Sequence, residues 1–576
     1  METADGVIGV FRFGQGVLLA LHIVLPFAAI LLGCRHYLHM LQLSSYQFQG
    51  FFRYFKTHKP FTVFHAAAFL LLLWAACAGG DPFILRILCV LAVSVWGIVL
   101  FRPRPAKKKF VVTLRVGRLI AILALLWLVF LLLTAAAGSR GTGGWAFLHP
   151  FFLALLPLFV ALANLIALPV EKAVRQWYID DAKRMLREHS GLRIIGITGS
   201  FGKTSVKHYL TTMLAERYAV LMTPGSFNTP MGVVRTIREQ LKPTHEIFVC
   251  EMGARHVGDI REICDIVHPH DGVLTAIGDQ HLETFHTREN IIRTKHELLD
   301  AVEEAASGKA PQDMRMEGAA FEADARYLKF INGDDEIIAA NRKYADAITY
   351  GLQAGCDYRG EILSVGVQGT TFRVTMPAAG AGTSGADAAA DGTETAEFTI
   401  PLVGQHNVVN AIGAIAVART LGVPLNKLKM AARRLQPAAH RLEIKKVPYG
   451  AILDDAYNSN PAGAEAALGA LAAIAQNDGA EPMLKILVTP GMVELGEKQA
   501  EYNKAFGAQA AAVCDYILTV GWTNSDAIRE GALGAGFSQD RIFMCTALAE
   551  AMTKMTALEA GRKRVILMEN DLPDDY

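Results

Sequence analysis

The sequence predicts a helical transmembrane bundle followed by two α/β domains. The first of these is a P-loop ATPase domain with a mostly parallel, doubly wound sheet, and the second is smaller and Rossmann-like. Three observations support this fold class. Five apolar runs, each of about 20 residues, occupy the first 170 positions. A short apolar strand then leads through a glycine turn into a helix in GITGSFGKTSVKHYL. Strand–helix alternation restarts near position 441 and continues to position 568.

The five apolar runs are predicted to span a membrane. The fourth run contains no charged residue, which disfavours the alternative that these are buried core helices of a large soluble domain. The first run follows METADG, which has no basic segment, so we do not interpret it as a signal peptide. The predicted spans are residues 14–34, 61–79, 83–101, 119–138 and 146–170.

Lysine and arginine are concentrated in two of the loops between these runs. Residues 35–60 contain four of them and no acid, and residues 102–118 contain seven. Because basic loops of this kind stay in the cytosol, we expect the N-terminus to face outward. An odd number of spans would then place everything after Val170 in the cytosol, where ATP is available.

The composition narrows the class of protein further. The net charge is +1, so nothing at the level of the whole chain indicates a nucleic-acid partner. The eight cysteines include no C-x-x-C pair, which disfavours a disulfide scaffold and a structural zinc site.

The segment RIIGITGSFGKTS is predicted to hold a phosphate. An isoleucine-rich strand leads to a turn in which Gly199 and Gly202 let the backbone approach an anion, and the following helix presents unpaired N–H groups. Lys203 would bring positive charge to the outer phosphates, and the Thr204 hydroxyl could ligate Mg²⁺. The first glycine of the general Walker pattern is missing, so that pattern fails by one residue.

Two further predicted strands end near side chains that bind metals. Residues 247–250 lead to Glu251, and residues 273–277 are followed by His281. Because ligands bind at the carboxyl ends of strands in such sheets, we expect Thr204 to lie close to both. A hydroxyl, a carboxylate and an imidazole can hold one or two Mg²⁺ ions together with phosphate oxygens and water. Taken alone, the glutamate is an ordinary strand-end acid and the histidine an ordinary loop residue.

Lys295 stands in the apolar stripe of a predicted helix. The segment TRENIIRTKHELLDAVEEA has Thr287 as its predicted N-cap and apolar residues at helical spacing on both sides of the lysine. In one alternative, the ammonium of this lysine reaches past the edge of the core to solvent. In the other, its positive charge is removed, or paired with a negative charge, beside the metal site. A carbamylated lysine is an anion and could serve as a metal ligand.

These motifs together resemble the Mur ligase family, and most of all its MurF type, which adds D-alanyl-D-alanine to a muramyl tripeptide. TGSFGKTS is similar to the family's T-G-x-x-G-K-[ST] loop, EMGARHVGDI to E-[LM]-G-A-x-H-x-G-E-I, and HLETF with TKHELL to H-L-E-x-F and K-x-E-[IL]. The resemblance implies that Mg²⁺ is bound by Thr204, Glu251, His281 and a carbamylated Lys295. It implies an ATP-binding loop made of Thr198, Gly199, Ser200, Gly202, Lys203, Thr204 and Ser205.

Later motifs follow in the family's order. PLVGQHNVVNAIG resembles G-x-H-N-x-x-N, which implies that Asn407 contacts adenine. HRLE places Arg441 where the family has an arginine that contacts phosphate. DDAYNSNP resembles D-D-[AS]-Y-N-A-N, which implies that Asp455 lies near the ribose and that Tyr457 and Asn458 line the cleft between domains.

The resemblance divides the chain into three domains. The sequence also departs from the family in two places. The domains are a membrane domain of residues 1–178, an ATP-binding domain of residues 179–437 and a C-terminal domain of residues 438–576. The spans stand where MurF-type enzymes have a soluble domain for the UDP-sugar, and the family's late K-G-S-R segment has no counterpart. Both departures concern substrate recognition, whereas the ATP machinery is kept.

The implied activity is ATP-dependent amide formation through an acyl phosphate, on a peptidoglycan precursor or a related cell-envelope peptide. Lys203, Lys295 and Arg441 are the implied catalytic residues. The expected partners are an amino acid or dipeptide amine and a peptide carboxylate, free or lipid-linked, at the cell membrane. One alternative is a ligase that makes a poly-γ-glutamate-type polymer. Another is an ATPase that powers transport, but we find neither a Walker B strand ending in Asp nor a signature segment. A non-catalytic scaffold is disfavoured by the complete nucleotide set.

Overall fold

The computed structural model describes most of the chain, in two compact units, Met1–Trp177 and Tyr178–Tyr576. The described residues are 2–77, 83–103, 109–138, 150–189, 191–278, 282–308, 327–341, 343–366, 369–378, 392–436, 442–456, 461–476, 482–493, 495–559 and 561–570.

The regular elements in the described part of the first unit are helices. They are α1 (Glu2–Leu43), α2 (Phe48–Thr57), α3 (Lys59–Cys77), α4 (Phe83–Leu100), α5 (Leu114–Gly138), α6 (Phe151–Ala154) and α7 (Leu156–Arg187). Aromatic and small residues fill the space between them, and Tyr37, Phe64 and Phe101 are buried. A Cβ atom at Gly33 would lie 2.6 Å from Leu156, so glycine permits a close approach of α1 and α7.

Among the described residues, four helices are long and apolar enough to span a membrane by length and composition. These are Ala20–Leu43, Lys59–Cys77, Leu114–Ala136 and Leu156–Arg187. The remaining predicted span, residues 83–101, corresponds to the shorter apolar helix Ile84–Leu100. Only 11% of the α5 segment is buried inside the structure, so most of its leucine-rich surface faces outward.

The second unit begins with a nine-stranded sheet. Its strand order is β2-β3-β1-β4-β5-β6-β7-β8-β9, and the strands are parallel from β2 to β7 and antiparallel from β7 to β9. The strands are β1 (Arg193–Thr198), β2 (Val220–Met222), β3 (Ile247–Glu251), β4 (Asp271–Leu274), β5 (Leu328–Asn332), β6 (Ile348–Gly351), β7 (Tyr358–Gly366), β8 (Gly369–Pro377) and β9 (Thr393–Ile400). The chain runs to one side of β1 for β2 and β3 and to the other side from β4 onward, so the strand order reverses at β1.

Helices cover both faces of this sheet. Because successive residues of a strand point to opposite faces, neighbouring strand residues pack against different helices. Ile195 and Val249 pack in the same buried cluster as α8 (Lys203–Leu214) and α14 (Gln405–Thr420). Ile194 and Phe248 pack in the cluster on the other face. The other helices here are α9 (Pro230–Gln240), α10 (Asp259–Val267), α11 (Leu282–Phe285), α12 (Arg288–Ala306), α13 (Glu336–Ala340) and α15 (Leu425–Ala432).

A six-stranded sheet follows, in the order β10-β11-β15-β12-β13-β14. Only the β10–β11 pair is antiparallel. The last strand in the chain, β15, lies in the middle between β11 and β12. The elements are β10 (Glu443–Val447), β11 (Gly450–Asp455), α16 (Pro461–Gln476), β12 (Leu484–Thr489), α17 (Gln499–Val513), β13 (Tyr516–Val520), α18 (Ser525–Gly534), β14 (Ile542–Cys545), α19 (Leu548–Ala557) and β15 (Arg564–Glu569). The prediction of α/β architecture with parallel sheets is confirmed.

Candidate active site

The glycine loop (residues 199–202) joins β1 to α8. Gly199 has φ +152° and Gly202 has φ +81°. A Cβ atom at the first would lie 2.2 Å from Oγ1 of Thr275, and one at the second would lie 2.7 Å from Oδ1 of Asn410. Both positions therefore require glycine, because its absent side chain permits the conformation and the close approach.

Residues after β4 hold the glycine loop in place. The Ser200 N–H donates to the carbonyl of Ala276 over 2.7 Å, and the Ser200 hydroxyl donates to the carbonyl of Gly278 over 3.0 Å. The strand predicted at residues 273–277 is β4 (Asp271–Leu274), which begins and ends earlier than expected. Ala276 and Gly278, beyond its end, bond to the glycine loop instead.

The helix α8 begins directly at the end of this loop. Its N-cap, Gly202, supplies no side-chain hydrogen bond, so first-turn N–H groups stay available to an anion. The Lys203 ammonium donates to the carbonyls of Gly199 over 2.6 Å and Ser200 over 3.0 Å. The positive charge of Lys203 therefore lies against the glycine loop. Thr198 before this loop and Ser205 after it are buried.

The structure brings Thr204 and Glu251 into contact, as predicted. The Thr204 hydroxyl donates to Oε1 of Glu251 over 3.1 Å. Sheet register explains this contact, because Ile197 is paired with Glu251 and Thr198 with Leu274 across adjacent parallel strands. The carboxyl ends of β1, β3 and β4 thus lie at one edge of the sheet.

Glu251 is buried together with its counter-charge. Its Oε1 also accepts a hydrogen bond from the amide of Asn228 over 3.1 Å, and its Oε2 lies 2.9 Å from the ammonium of Lys207. Burial alone would raise the pKa of this carboxyl. The nearby lysines, Lys207 foremost, outweigh that effect and hold the pKa below its ordinary value.

Lys295 is buried in α12, with 3% of its surface exposed. Burial, and then the charge of Lys203, lowers the pKa of Lys295 from 10.5 to about 7. No carboxylate among the described residues forms an ion pair with it.

The prediction of an N-cap at Thr287 is confirmed, since its hydroxyl accepts from the Asn290 N–H over 3.2 Å.

Glu297, also in α12, forms hydrogen bonds with the start of α10, which follows β3. Its two carboxylate oxygens accept hydrogen bonds from the N–H groups of Gly258 and Arg261, each over 2.9 Å. These donors lie at the start of α10, so the glutamate caps that helix. Lys295 is thereby placed on an anchored element.

The helix α14 packs against α8 and the glycine loop. The Oδ1 atom of Asn407 accepts from the Tyr209 hydroxyl, and its amide donates to the carbonyl of Val403, each over 2.8 Å. The adenine contact of Asn407 stays a prediction. Asn410, three residues later, is the residue whose side chain approaches Gly202.

Of the predicted site residues not yet discussed, only Asp455 lies in the part of the chain that the structure describes. Asp455, at the end of β11, accepts a hydrogen bond from the Leu442 N–H over 3.0 Å. The ribose contact proposed for it stays a prediction. Outside the described residues lie His281, Arg441, Tyr457 and Asn458.

Three polar residues at the site were missed at the sequence level. Lys207 follows Lys203 by four positions, so helical spacing places both on one face of α8 and could have indicated it. Asn228 lies in the segment SFNTP, which connects β2 to α9, and only the sheet order brings it to Glu251. Asn410 belongs to the G-x-H-N-x-x-N segment, in which only the first asparagine was assigned.

The residues present fit a nucleotide phosphate with Mg²⁺. The two glycines leave backbone room that a Cβ atom would fill. The site also combines helix N–H groups, one lysine, one hydroxyl and one ionised carboxylate, which are donors that suit phosphate oxygens and a hard cation. Among the described residues, no group of three His, Cys, Asp or Glu side chains could hold a metal by itself. The predicted ligand His281 lies outside that part.

Comparison with known proteins places two domains in the chain. Residues 197–418 match the Mur ligase middle domain, and residues 440–569 match the Mur ligase, glutamate ligase domain. The UDP-N-acetylmuramoyl-tripeptide–D-alanyl-D-alanine ligase of Bacillus subtilis is 31% identical over 363 residues, which are 63% of this chain and 69% of that protein. The ligase of the same name from Escherichia coli is 26% identical, over 62% of this chain and 73% of that protein.

Solved structures are similar as well. MurF from Acinetobacter baumannii superposes with a TM-score of 0.56 at 26% identity, over 69% of this chain and 77% of that one. MurF from Thermotoga maritima, solved in complex with ADP, has a TM-score of 0.54 at 24% identity, over 68% of this chain and 80% of that one. The second likeness supports the fold.

Proposed function

This chain belongs to the Mur ligase family, whose members are ATP-dependent carboxylate–amine ligases, and we propose that it acts on a peptidoglycan precursor in the MurF manner. The carboxylate would come from a muramyl peptide, linked to UDP or to a lipid. The amine would come from D-alanyl-D-alanine or from another amino acid or dipeptide. Relatives named for these substrates support this choice.

One observation carries the proposal: the first turn of α8, directly after the glycine loop, meets the carboxyl end of β3 through the Thr204–Glu251 hydrogen bond of 3.1 Å. A phosphate on the loop and a cation at Glu251 would then be neighbours. Bound Mg²⁺ would be held by Thr204 and Glu251, and it would offset negative charge on the phosphoryl oxygens.

The proposed reaction has two steps, and the chain supplies charge and position for both. The substrate carboxylate takes the terminal phosphoryl group of ATP, which leaves ADP and an acyl phosphate. The neutral amine then attacks the acyl carbon, phosphate departs, and the amine loses a proton to give the amide. Lys203 and the N–H groups of α8 would stabilise the charge on the transferred group. Arg441 and Asp455 would close over the nucleotide and exclude water.

We also propose that Lys295 is carbamylated. An amine whose pKa is about 7 is largely neutral at cytosolic pH, so its nitrogen lone pair can attack CO₂. The nitrogen then loses a proton. The product is an anion that could complete a cation site with Glu251 and His281. Mass spectrometry of the intact protein, prepared with bicarbonate, should show a modification of one CO₂ that Lys295→Ala lacks. Its absence from both proteins would contradict this assignment.

We further propose that the first unit anchors the ligase to the cell membrane, with the N-terminus outside and the α/β unit in the cytosol. Four spanning-length helices and the shorter α4 would cross it. The 18 residues of α4 give a length of about 27 Å at 1.5 Å per residue, close to the thickness of the hydrocarbon layer. Trypsin added to right-side-out vesicles should leave residues 178–576 intact, whereas inverted vesicles should lose them.

The decisive experiment is phosphate release by the purified full-length protein, screened against amine donors and against soluble and lipid-linked muramyl peptides. The expected result is release that requires both substrates and matches the amide formed. Release that ignores every acceptor would contradict the proposal. A ladder of γ-glutamyl products would favour the polymer-forming alternative, and release coupled to solute flux in proteoliposomes would favour transport.

A further inference from the structure

Lys207 is a fully buried lysine that the proposed reaction does not use. It lies one helical turn after Lys203, and none of its side chain is exposed. Its ammonium donates to the carbonyl of Gly225 over 2.8 Å and lies 2.9 Å from Oε2 of Glu251. Removing an ammonium from water is costly, so a lysine persists in such a place only with partners of this kind.

The two oxygens of Glu251 face different surroundings. Oε1 accepts from two neutral donors, the Thr204 hydroxyl and the Asn228 amide, each over 3.1 Å. Oε2 faces the charge of Lys207. A divalent cation that reaches the Thr204 hydroxyl therefore meets Oε1 first, while the other oxygen is already paired with a cation inside the protein.

The same lysine also fixes the loop that carries Asn228. Lys207 binds this loop at Gly225, and the Gly253 N–H binds it at the carbonyl of Asn228 over 2.7 Å. The Thr223 hydroxyl at its start accepts from the N–H of Glu251 over 3.1 Å. The carboxylate and its neutral donors are thus held as one assembly.

We propose that Lys207 is a positioning residue that acts as a built-in counter-ion of Glu251 and makes divalent-cation binding depend on the nucleotide. It keeps Oε2 paired, leaves Oε1 to the cation, and repels that cation until the phosphates of ATP add negative charge. The repulsion follows from two cations sharing one carboxylate in a site with little water. The inference rests on the proposed function for the cation and the nucleotide, and it adds an order of binding.

The test measures Mn²⁺ binding by electron paramagnetic resonance on the full-length protein, with and without a non-hydrolysable ATP analogue. Lys207→Gln removes the charge and keeps a donor for the Gly225 carbonyl. Without nucleotide, we expect this variant to bind Mn²⁺ about tenfold more tightly than the wild type, because the competing cation is gone. With the analogue, the difference should shrink to about twofold. Lys207→Met should behave in the same way, and it replaces the first variant if that one does not fold.

A matched control is Lys329→Gln. Lys329 is also a buried lysine, paired with Asp346 over 2.8 Å, but it lies near the start of β5, away from the carboxyl ends of the strands. Its replacement removes a buried charge without changing Mn²⁺ affinity. In a Glu251→Gln background, Lys207→Gln should have no effect on that affinity.

The outcomes separate this inference from the proposed function. If the wild type binds Mn²⁺ more weakly without the nucleotide analogue than with it, and Lys207→Gln binds Mn²⁺ about tenfold more tightly than the wild type without the analogue, the inference is supported. If both neutral variants keep wild-type affinity without nucleotide, the inference is overturned and the proposed function stands. A wild-type protein that binds Mn²⁺ under neither condition overturns both.

Discussion

The nine-stranded and six-stranded sheets of the second unit differ in the segments that follow their parallel strands. At the end of β3 in the nine-stranded sheet, the buried charges of Lys207 and Glu251 are in contact, and Lys203 is near enough to shift the pKa values of Glu251 and Lys295. In the six-stranded sheet, the loop after β12 is held by neutral amide side chains. We call these two places the charged edge and the neutral edge.

Those amides satisfy one another and the backbone. Asn503 accepts from the Met492 N–H over 2.8 Å and donates to the Met492 carbonyl over 2.9 Å. Asn524 donates to the carbonyl of Pro490 over 3.1 Å, and Asn570 donates to that of Gly491 over 2.6 Å. The loop after β12 is therefore fixed without any net charge.

The difference teaches where chemistry can be expected in two similar sheets. A neutral amide network is complete when its hydrogen bonds are made, so it serves to hold a loop still. At the charged edge, two lysines face one carboxylate, and the excess positive charge favours an anionic group such as a phosphate. We therefore propose phosphoryl transfer for the charged edge and the placement of a loop for the neutral edge.

The largest expected effect comes from Lys203→Ala at the charged edge. Because this lysine would offset charge on the transferred phosphoryl group, kcat/KM for phosphate release should fall about 1,000-fold. The melting temperature should change little, since the side chain is half-buried and donates to loop carbonyls. The surface variant Lys504→Ala is the control and should keep full activity. A loss of less than tenfold for Lys203→Ala would break the comparison.

The next effect is on stability and depends on pH. Folding lowers the pKa of Lys295 from 10.5 to about 7, so between these values the unfolded chain binds the extra proton and the folded chain does not. The free energy of unfolding therefore rises with pH through this window. Below pH 7 the full destabilisation by the buried charged lysine is present. In CO₂-free buffer at pH 6.5, Lys295→Met should be more stable than the wild type by about 3 kcal/mol. Denaturant unfolding should show this gap closing towards pH 10, and a gap independent of pH would refute the assignment.

At the neutral edge, we expect a smaller effect that is purely structural. Asn503→Ala removes three buried hydrogen bonds, two to Met492 and one to the carbonyl of Gln499. Unfolding should become easier by about 2 kcal/mol, while the affinity for an ATP analogue stays at the wild-type value. Weakened nucleotide binding would show that the two edges are not independent.

The smallest effect is expected from Gln499→Ala. Its amide donates to Oδ1 of Asn524 over 3.0 Å from a half-buried position. Water can replace this donor, so the loss in unfolding free energy should be about 0.5 kcal/mol. A loss as large as that of Asn503→Ala would mean that the amides act as a cooperative unit.

The regular architecture could be predicted because it depends on local pattern. Apolar strands between glycine turns identified β1, β3 and the strands β11 to β15 of the six-stranded sheet, and an uncharged run identified α5. The predicted loop 35–60 also contains α2, which was missed because it is short. Its burial comes from residues such as Phe51 packing against other helices.

The candidate site could be predicted only in part, for a physical reason. Glu251 ends β3, and Thr204 lies in the first turn of the helix that follows β1. Because β1 and β3 pair in register, their contact could be predicted from these positions. Lys207 has the local pattern of any helical lysine, and its burial depends on the covering loop with Asn228. Long-range placement of this kind is absent from the local sequence. The membrane topology and the roles of Asn407 and Asp455 stay predictions.

The position of β15 affects how the protein is made. Because the fifteenth strand lies between β11 and β12, both neighbours leave the ribosome long before the strand that joins them. Until then each presents an unpaired edge to chaperones and proteases. A nonsense codon just before Arg564 would therefore remove β15 and split the sheet in two, so cellular quality control should clear that product.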